Sequence, residues 1–435
     1  MAEMASATVF KAEEFVLPNG LRCVVVENHK APLIKHMVWY KAGSVDEEAG
    51  KGGSAHLLEH LMFRGTKKVK DGAFNEIMEK HGAVSNAFTT HEVTAYHEFA
   101  DISRLEVLMA LESDRMQNLN FDKQAFETER KIVFQERMQR IENNPSSIFS
   151  ERFDLLLWGN SPYGRPVTGL AEEIESLTYD DALSFYQRFY APNNAILVLS
   201  GDIDAATVKP LVEKYYGKLQ SHKVKRQNPV SVRPYFRETL EMELPDINTV
   251  KMVESYILDT TEEIKDEVYD YAVLAEYLGG GETSALYRDL VLKNKEFVSV
   301  FAGYNFVTNG NTVFSFSLLP VEGNKMSLTE LSDILHHSAE NAVKNLTDKR
   351  LEQIKRKMVA DLVYANDNPA DAAQWIGYML ASGFSLADIQ NYEEKISSVT
   401  LSGVKQAFKN LQKASGVKGL LKPLSSELSV KGKSL

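Results

Sequence analysis

The chain has 435 residues, of which 44% are hydrophobic and 25% are charged, and its formal net charge is -11. This composition is typical of a globular protein, and the length exceeds what one hydrophobic core usually serves. The acidic balance argues against a nucleic-acid binder, and no stretch approaches the roughly 20 apolar residues that a membrane span requires.

Strands and helices alternate along the first half of the chain. The apolar run at 14–47, with a turn at Asn19-Gly20, predicts a hairpin. Helical periodicity follows at 53–63, 73–81, 103–116, 122–142 and 179–192, and strand patterns occupy 83–100 and 194–202. Intermixed elements of this kind predict an α/β or α+β fold with mixed, mainly antiparallel sheets packed with helices.

Residues 217–234 are polar, basic and proline-bearing, which is the composition of an interdomain linker. We therefore predict an N-terminal domain over 1–216 and a C-terminal domain over 235–435. The second domain repeats the first, because three pairs of segments recur in the same order. These pairs are AHLLEHL (55–61) with AVLAEYL (272–278), ETERKIVFQERMQRIENNPSS (127–147) with LEQIKRKMVADLVYANDNPAD (351–371), and IESLTYDDALSFYQRFY with ISSVTLSGVKQAFKNL.

The two copies differ at polar positions. The replaced residues are His56 by Val273, His60 by Tyr277, Glu129 by Gln353 and Glu136 by Ala360, while Glu59 is matched by Glu276. The apolar skeleton is kept in both copies. The four polar side chains of the first copy are therefore not needed for the fold, which indicates a functional role.

His56 and His60 are four residues apart, so a helix places both imidazoles on one face. Two neutral imidazoles form half of a zinc site, and a catalytic zinc takes three protein ligands and keeps one position for water. Zinc lowers the pKa of that water from ~16 toward ~7. Glu59 borders the same point, and we predict that it takes the proton as general base and passes it to the leaving amine.

The third ligand must come from another segment, and the helix at 126–142 offers Glu127, Glu129, Glu136 and Glu142. Glu129 and Glu136 lie two turns apart on one stripe, and both are replaced in the second copy. We predict Glu136 as the third zinc ligand and Glu129 as the carboxylate that orients a ligand histidine. A solvated helix face or a hydrogen-bonded pair is the alternative, but the surrounding leucines favour a buried cluster that a metal ion would compensate.

HLLEH is the H-x-x-E-H motif of inverzincins. Together with WYKAGSVDE, SNAFTTHEVTAY and FETERKIVFQER, in this order, it resembles the pitrilysin family of zinc metallopeptidases. Within that family, the short two-domain chain resembles processing-peptidase β-subunits and their bacterial relatives. The resemblance implies His56, His60 and Glu136 as Zn²⁺ ligands, Glu59 as base and Glu129 as the outer carboxylate.

The resemblance also implies that the chain forms half of a clam-like dimer around a chamber for unfolded peptides. Substrate would add to a strand edge, with Asn86, Ala87 and Phe88 as backbone contacts. Family members active as a single kind of chain carry an arginine and a tyrosine in a stretch resembling SRLYQELREEKGLAYSV. Here SALYRDLVLKNKEFVSV places Val291 and Val298 at those positions, which predicts a zinc-less homologous partner in a heterodimer, with a homodimer as the alternative.

Two other functions are open at this point. The chain could be a non-catalytic assembly subunit, although such scaffold relatives lose the residues that are intact here. Its zinc could also be structural, which would use four protein ligands and no water. The opening residues lack a secretion signal, but a cleaved signal would leave no trace, so the compartment is undetermined. Bacterial cytoplasm or periplasm is favoured, and a location in the mitochondrial matrix would require that a transit peptide had been removed.

Overall fold

The computed structural model describes residues 9–226, 232, 237–260, 264, 265 and 267–424. Two β-sheets with surrounding helices account for this part of the chain. Among the residues described, no helix combines the length and the apolar character needed to cross a bilayer.

The first sheet has six strands in the order β1-β2-β6-β3-β5-β4. Strands β2 and β6 run parallel, and the other neighbours are antiparallel. The turn between β1 and β2 contains Gly20 at φ +87°, as the Asn19-Gly20 pair predicted. The strands are β1 (Ala12–Val16), β2 (Arg22–Glu27), β3 (Leu33–Tyr40), β4 (Val84–Thr89), β5 (Thr94–Asp101) and β6 (Ala195–Gly201).

The second sheet has five strands in the order β7-β11-β8-β10-β9. Strands β7 and β11 are parallel, and the remaining pairs are antiparallel. Apart from β1, this is the order and direction of the first sheet, so the predicted duplication and mixed, mainly antiparallel sheets are confirmed. The strands are β7 (Glu238–Leu244), β8 (Lys251–Thr260), β9 (Phe297–Asn305), β10 (Asn311–Pro320) and β11 (Gly416–Pro423).

Fifteen α-helices are found in the part of the chain that the structure describes. They are α1 (Ser54–Leu61), α2 (Ala73–Lys80), α3 (Leu105–Asn118), α4 (Lys123–Arg137), α5 (Pro145–Trp158), α6 (Ala171–Ser176), α7 (Tyr179–Phe189), α8 (Ala205–Tyr216), α9 (Val268–Gly279), α10 (Leu328–Lys344), α11 (Asp348–Asp367), α12 (Pro369–Ala381), α13 (Leu386–Gln390), α14 (Tyr392–Ser398) and α15 (Leu401–Leu411). A π-helical segment, Met138–Glu142, extends α4, and another covers Tyr287–Lys293.

The paired segments at 127–147 and 351–371 end in the same way in both copies. Asn144 caps α5 and Asn368 caps α12, and each is followed by a proline at the first helical position. A proline fits this position because its missing N–H would have no intrahelical partner there. The alignment of Pro145 with Pro369 therefore reflects a shared helix start.

The described residues form two compact units, and each unit includes helical residues from the other half of the sequence. The first unit holds β1–β6 with α1–α4, α6–α8, α12 and α13. The second holds β7–β11 with α5, α9, α10, most of α11, α14 and α15. Strand β3 is buried along nearly its whole length, since α12 packs against the sheet face that carries Trp39.

In the second unit, α5 packs against β11 through Phe149 and Phe153, which surround Gly419. The boundaries predicted at residues 216 and 235 remain a prediction. The predicted linker lies partly outside the described residues. In its described part, residues 217–226 and 232, no helix or strand follows the end of α8.

Candidate metal centre

Helix α1 is short and buried, and it presents the motif residues to one side. Leu57, Leu58 and Leu61 are fully buried in the core of the first unit, and α1 packs against α4 and α7. The imidazole rings of His56 and His60 have centroids 5.0 Å apart and lie nearly perpendicular. This is the same-face arrangement that their i, i+4 spacing predicted.

Glu136 of α4 reaches the same point. Its Oε2 lies 3.7 Å from Nε2 of His56 and 3.4 Å from Nε2 of His60. Among the described residues, these three form the one group whose metal-ligating atoms all lie within 4.8 Å of one another. Donors on a tetrahedral zinc with bonds of ~2.0–2.1 Å lie about 3.3 Å apart, so this donor set could hold such an ion with little movement.

Glu129, the predicted orienting carboxylate, contacts His60 and Arg64. Its Oε2 is 3.1 Å from Nδ1 of His60, and its Oε1 is 2.6 Å from Nε of Arg64. Burial lowers the pKa of His60, but the hydrogen bond and charge of Glu129, together with the charges of Glu59 and Glu136, outweigh burial, so the net pKa is raised. The contact fixes which nitrogen of His60 faces Glu136.

Glu59 directly precedes His60 on α1, and the end of strand β4 holds its side chain. The hydroxyl of Thr89 donates to Glu59 Oε2 at 2.6 Å. Thr89 in turn lies 3.3 Å from the hydroxyl of Thr94, which donates to the backbone carbonyl of Ala42. The carboxylate of Glu59, whose charge acts on the adjacent His60, therefore has a defined orientation.

The predicted substrate-contacting residues Asn86, Ala87 and Phe88 lie on β4. Strand β4 ends the order of the first sheet, and among the described strands it pairs with β5 alone. Asn86 is exposed, whereas Ala87 and Phe88 are half-buried. The free edge of this strand leads directly to Thr89 and thus to Glu59.

Three residues near the cluster were missed by the sequence interpretation. Arg64 contacts Glu129, Thr89 contacts Glu59, and the buried Glu47 contacts the start of α1. Each acts through a contact that depends on tertiary structure rather than on helical spacing. The only sequence signal for Arg64 was its position shortly after the HLLEH motif. Thr89 lies in SNAFTTHEVTAY and Glu47 ends WYKAGSVDE, and no role was predicted for either residue.

The fold and the cluster define a duplicated chain with an inverzincin-type H-x-x-E-H helix in its first copy. A family profile described as "Insulinase (Peptidase family M16)" matches residues 22–169. A second profile, described as "Peptidase M16 inactive domain", matches residues 176–358. The chain belongs to peptidase family M16, the insulinase or pitrilysin family.

Relatives of the chain include proteins named as zinc proteases. The zinc protease PqqE of Helicobacter pylori is 29% identical over 83% of this chain and 82% of its own length. A probable mitochondrial-processing peptidase subunit beta of Schizosaccharomyces pombe is 25% identical over 91% of this chain and 88% of its own. The crystal structure of a protease from Helicobacter pylori superposes with a TM-score of 0.87 at 27% identity, covering 95% of this chain and 100% of that one.

Proposed function

We propose that this chain is a zinc-dependent endopeptidase that cleaves unfolded or presequence-like peptides. The observation that carries the proposal is the convergence of His56, His60 and Glu136 from two separate helices. Glu59 stands beside them with its own hydrogen-bond donor. Family membership and relatives named as zinc proteases support the same reaction class.

His56, His60 and Glu136 would hold the ion, and two imidazoles with one carboxylate are a zinc-type donor set. When bound, zinc would polarise a peptide carbonyl and acidify water. Glu59 would accept the proton of the attacking water and return it to the leaving amine. Glu129, fixed by Arg64, would keep His60 in the tautomer that presents Nε2 to the ion.

The peptide would bind as an added strand on the free edge of β4. Backbone groups of Asn86, Ala87 and Phe88 would supply main-chain hydrogen bonds, which read an extended chain with little regard to sequence. Because β4 ends at Thr89, a peptide in this register would pass next to Glu59. This placement favours unfolded segments over folded proteins as substrates.

The second copy supports dependence on a partner. Val291 lies in the π-helical segment, and Val298, which is 53% exposed, lies on β9 at the end of the second sheet. A valine side chain, unlike that of arginine or tyrosine, cannot donate a hydrogen bond to a peptide carbonyl. We infer that a homologous zinc-less subunit supplies the arginine and tyrosine, so that the active form is a heterodimer.

The variant Glu59→Gln tests the reaction directly. Hydrolysis of an unfolded reporter peptide, assayed with the partner present, should fall by about 10²–10⁴-fold, while zinc content stays at the wild-type level. The matched control is Glu276→Gln, which changes the aligned residue of α9 and should leave hydrolysis unchanged. Wild-type rates in Glu59→Gln would reject this residue as the base.

Peptide hydrolysis by the chain alone tests the need for a partner. The isolated chain should bind zinc and show little hydrolysis, and adding the homologous subunit should restore it. Full activity of the isolated chain would contradict the heterodimer. A zinc-loaded complex without any peptidase activity would instead favour the non-catalytic assembly role.

A further inference from the structure

The start of helix α1 is capped by a residue from outside the helix. Gly53 occupies the N-cap position with φ +87°. A Cβ there would lie 2.7 Å from the backbone oxygen of Thr168, so no side chain fits. The usual cap, a Ser, Thr, Asp or Asn oxygen at this position, is therefore excluded.

Glu47 takes over this role. Its Oε1 accepts a hydrogen bond from the backbone N–H of Ala55 at 2.8 Å, and its Oε2 accepts one from Gly53 at 3.2 Å. Glu47 is only 4% exposed. Both carboxyl oxygens thus bind backbone donors at the start of α1, where a helix has no intrahelical acceptors for its first N–H groups.

The segment that carries Glu47 is itself fixed in the first unit. Arg165 donates to the backbone carbonyl of Glu47 at 3.3 Å. The preceding Asp46 is buried, and its carboxylate accepts two hydrogen bonds from Arg226, at 3.1 Å and 3.0 Å. Glu47 therefore has a defined position from which to hold the helix.

We propose that Glu47 is a positioning residue that sets the axial position and rotation of α1, and thereby the geometry of His56 and His60. Ala55, which it binds, directly precedes His56. Helix α1 has only eight residues, so its few internal hydrogen bonds resist rotation weakly and an external cap matters more than in a long helix. This inference rests on the proposed function, because it assumes that the two histidines bind zinc.

The test measures zinc affinity in Glu47→Ala and Glu47→Gln by competition with a chelator. Loss of the cap should weaken zinc binding by about 10–100-fold in Glu47→Ala, the range seen when groups that orient metal ligands are removed. Glu47→Gln keeps one carbonyl acceptor and should lie between Glu47→Ala and the wild type. Glu48→Ala is the matched control, since its side chain is 67% exposed and pairs with Arg188, and it should bind zinc like the wild type.

A second measurement separates positioning from plain stabilisation. The visible absorption bands of the Co²⁺-substituted protein report ligand geometry, and they should change in folded Glu47→Gln but not in Glu48→Ala. Wild-type zinc affinity and a wild-type cobalt spectrum in folded Glu47→Gln would overturn this inference and leave the proposed function standing. A wild-type chain that binds no zinc would overturn the proposed function and this inference together. If neither variant folds, the same two measurements are made on Glu47→Asp, which keeps the carboxyl group on a side chain that is one methylene shorter.

Discussion

Helices α1 and α9 occupy equivalent places in two copies of one fold and present different chemistry. Where α1 carries His56 and His60, α9 carries Val273, which is fully buried, and Tyr277, whose hydroxyl donates to the carbonyl of Ala342 at 2.8 Å. In the second copy, these two positions are therefore occupied by a packed hydrophobic side chain and by a tyrosine with a hydrogen bond to the backbone. The cluster of the first copy is therefore an addition that the architecture does not require.

The contact between the paired helices differs in the same way. In the first unit, His60 of α1 meets Glu129 and Glu136 of α4. In the second unit, Glu276 of α9 forms a 2.8 Å ion pair with Lys357 of α11. A glutamate at the same aligned position thus serves a structural ion pair in one copy, whereas in the other we propose that it serves as a base.

The two units also differ in the buried ionic groups that lie between a strand of each sheet and a neighbouring helix. In the first unit, Arg115 is fully buried, contacts Glu98 at 3.3 Å and pairs with Glu112, and its guanidinium lies over the ring of Tyr96. In the second unit, the fully buried Glu254 binds His336 at 2.8 Å. The first cluster is cut off from solvent, while His336 keeps 36% of its side chain exposed.

The largest effect that we expect on stability comes from Arg115→Met. Removal of the guanidinium leaves Glu98 and Glu112 buried without their cation, which should lower the free energy of unfolding by about 3–5 kcal/mol. Chemical denaturation of the variant and the wild type measures this difference. The control is Lys418→Met, which removes a partly exposed cation 3.4 Å from Glu254 and should cost less. Equal losses would remove the proposed distinction between the clusters.

The two clusters should lose stability in different pH ranges. In the first cluster, Nδ1 of the fully buried His36 lies 2.8 Å from Oε2 of Glu98. Burial lowers the pKa of His36 to about 4 from an ordinary 6.5, so the unfolded chain binds the proton first. Stability from this group is complete above pH 6.5 and is lost as pH falls toward 4, by about 3 kcal/mol at most. Between pH 6.5 and 4, the unfolding free energy of the wild type should therefore fall more steeply than that of His36→Gln.

Glu254 should affect the free energy of unfolding at lower pH than His36 does. Burial raises the pKa of Glu254, but the hydrogen bond and charge of His336, together with hydrogen bonds from Ser332 and Tyr256, outweigh burial and lower it to about 2 from 4.5. Its contribution is present above pH 4.5 and is lost as pH falls toward 2. A wild-type unfolding profile with the same slope as His36→Gln between pH 6.5 and 4 would contradict the assignment of the upper range to His36.

The smallest effect should come from Lys357→Met. Its ion pair with Glu276 is partly exposed, and such pairs contribute about 0–1 kcal/mol. We expect thermal unfolding close to that of the wild type and unchanged peptide hydrolysis. A loss of hydrolysis would mean that the helix pair of the second unit influences the site, which the contrast between α1 and α9 does not anticipate.

Much of the fold and of the cluster could be predicted because both rest on periodic patterns. The i, i+4 spacing of His56 and His60 placed two imidazoles on one face, and the replaced Glu136 was singled out by comparing the two copies. The packing of α5 on the second sheet and of α12 on the first could not be predicted, since an amphipathic pattern shows which helix face is buried and not what covers it. No role could be predicted for Glu47 and Thr89, because their contacts join separate segments of the chain and no repeating sequence pattern reveals such contacts.

Zinc content after dialysis tests the central claim most directly. The wild-type chain should retain one zinc ion, and the double variant His56→Val with His60→Tyr, which copies α9 into α1, should retain none while its circular dichroism stays that of the folded wild type. Zinc that remains in the double variant, or a folded wild-type chain that binds none, would contradict the account.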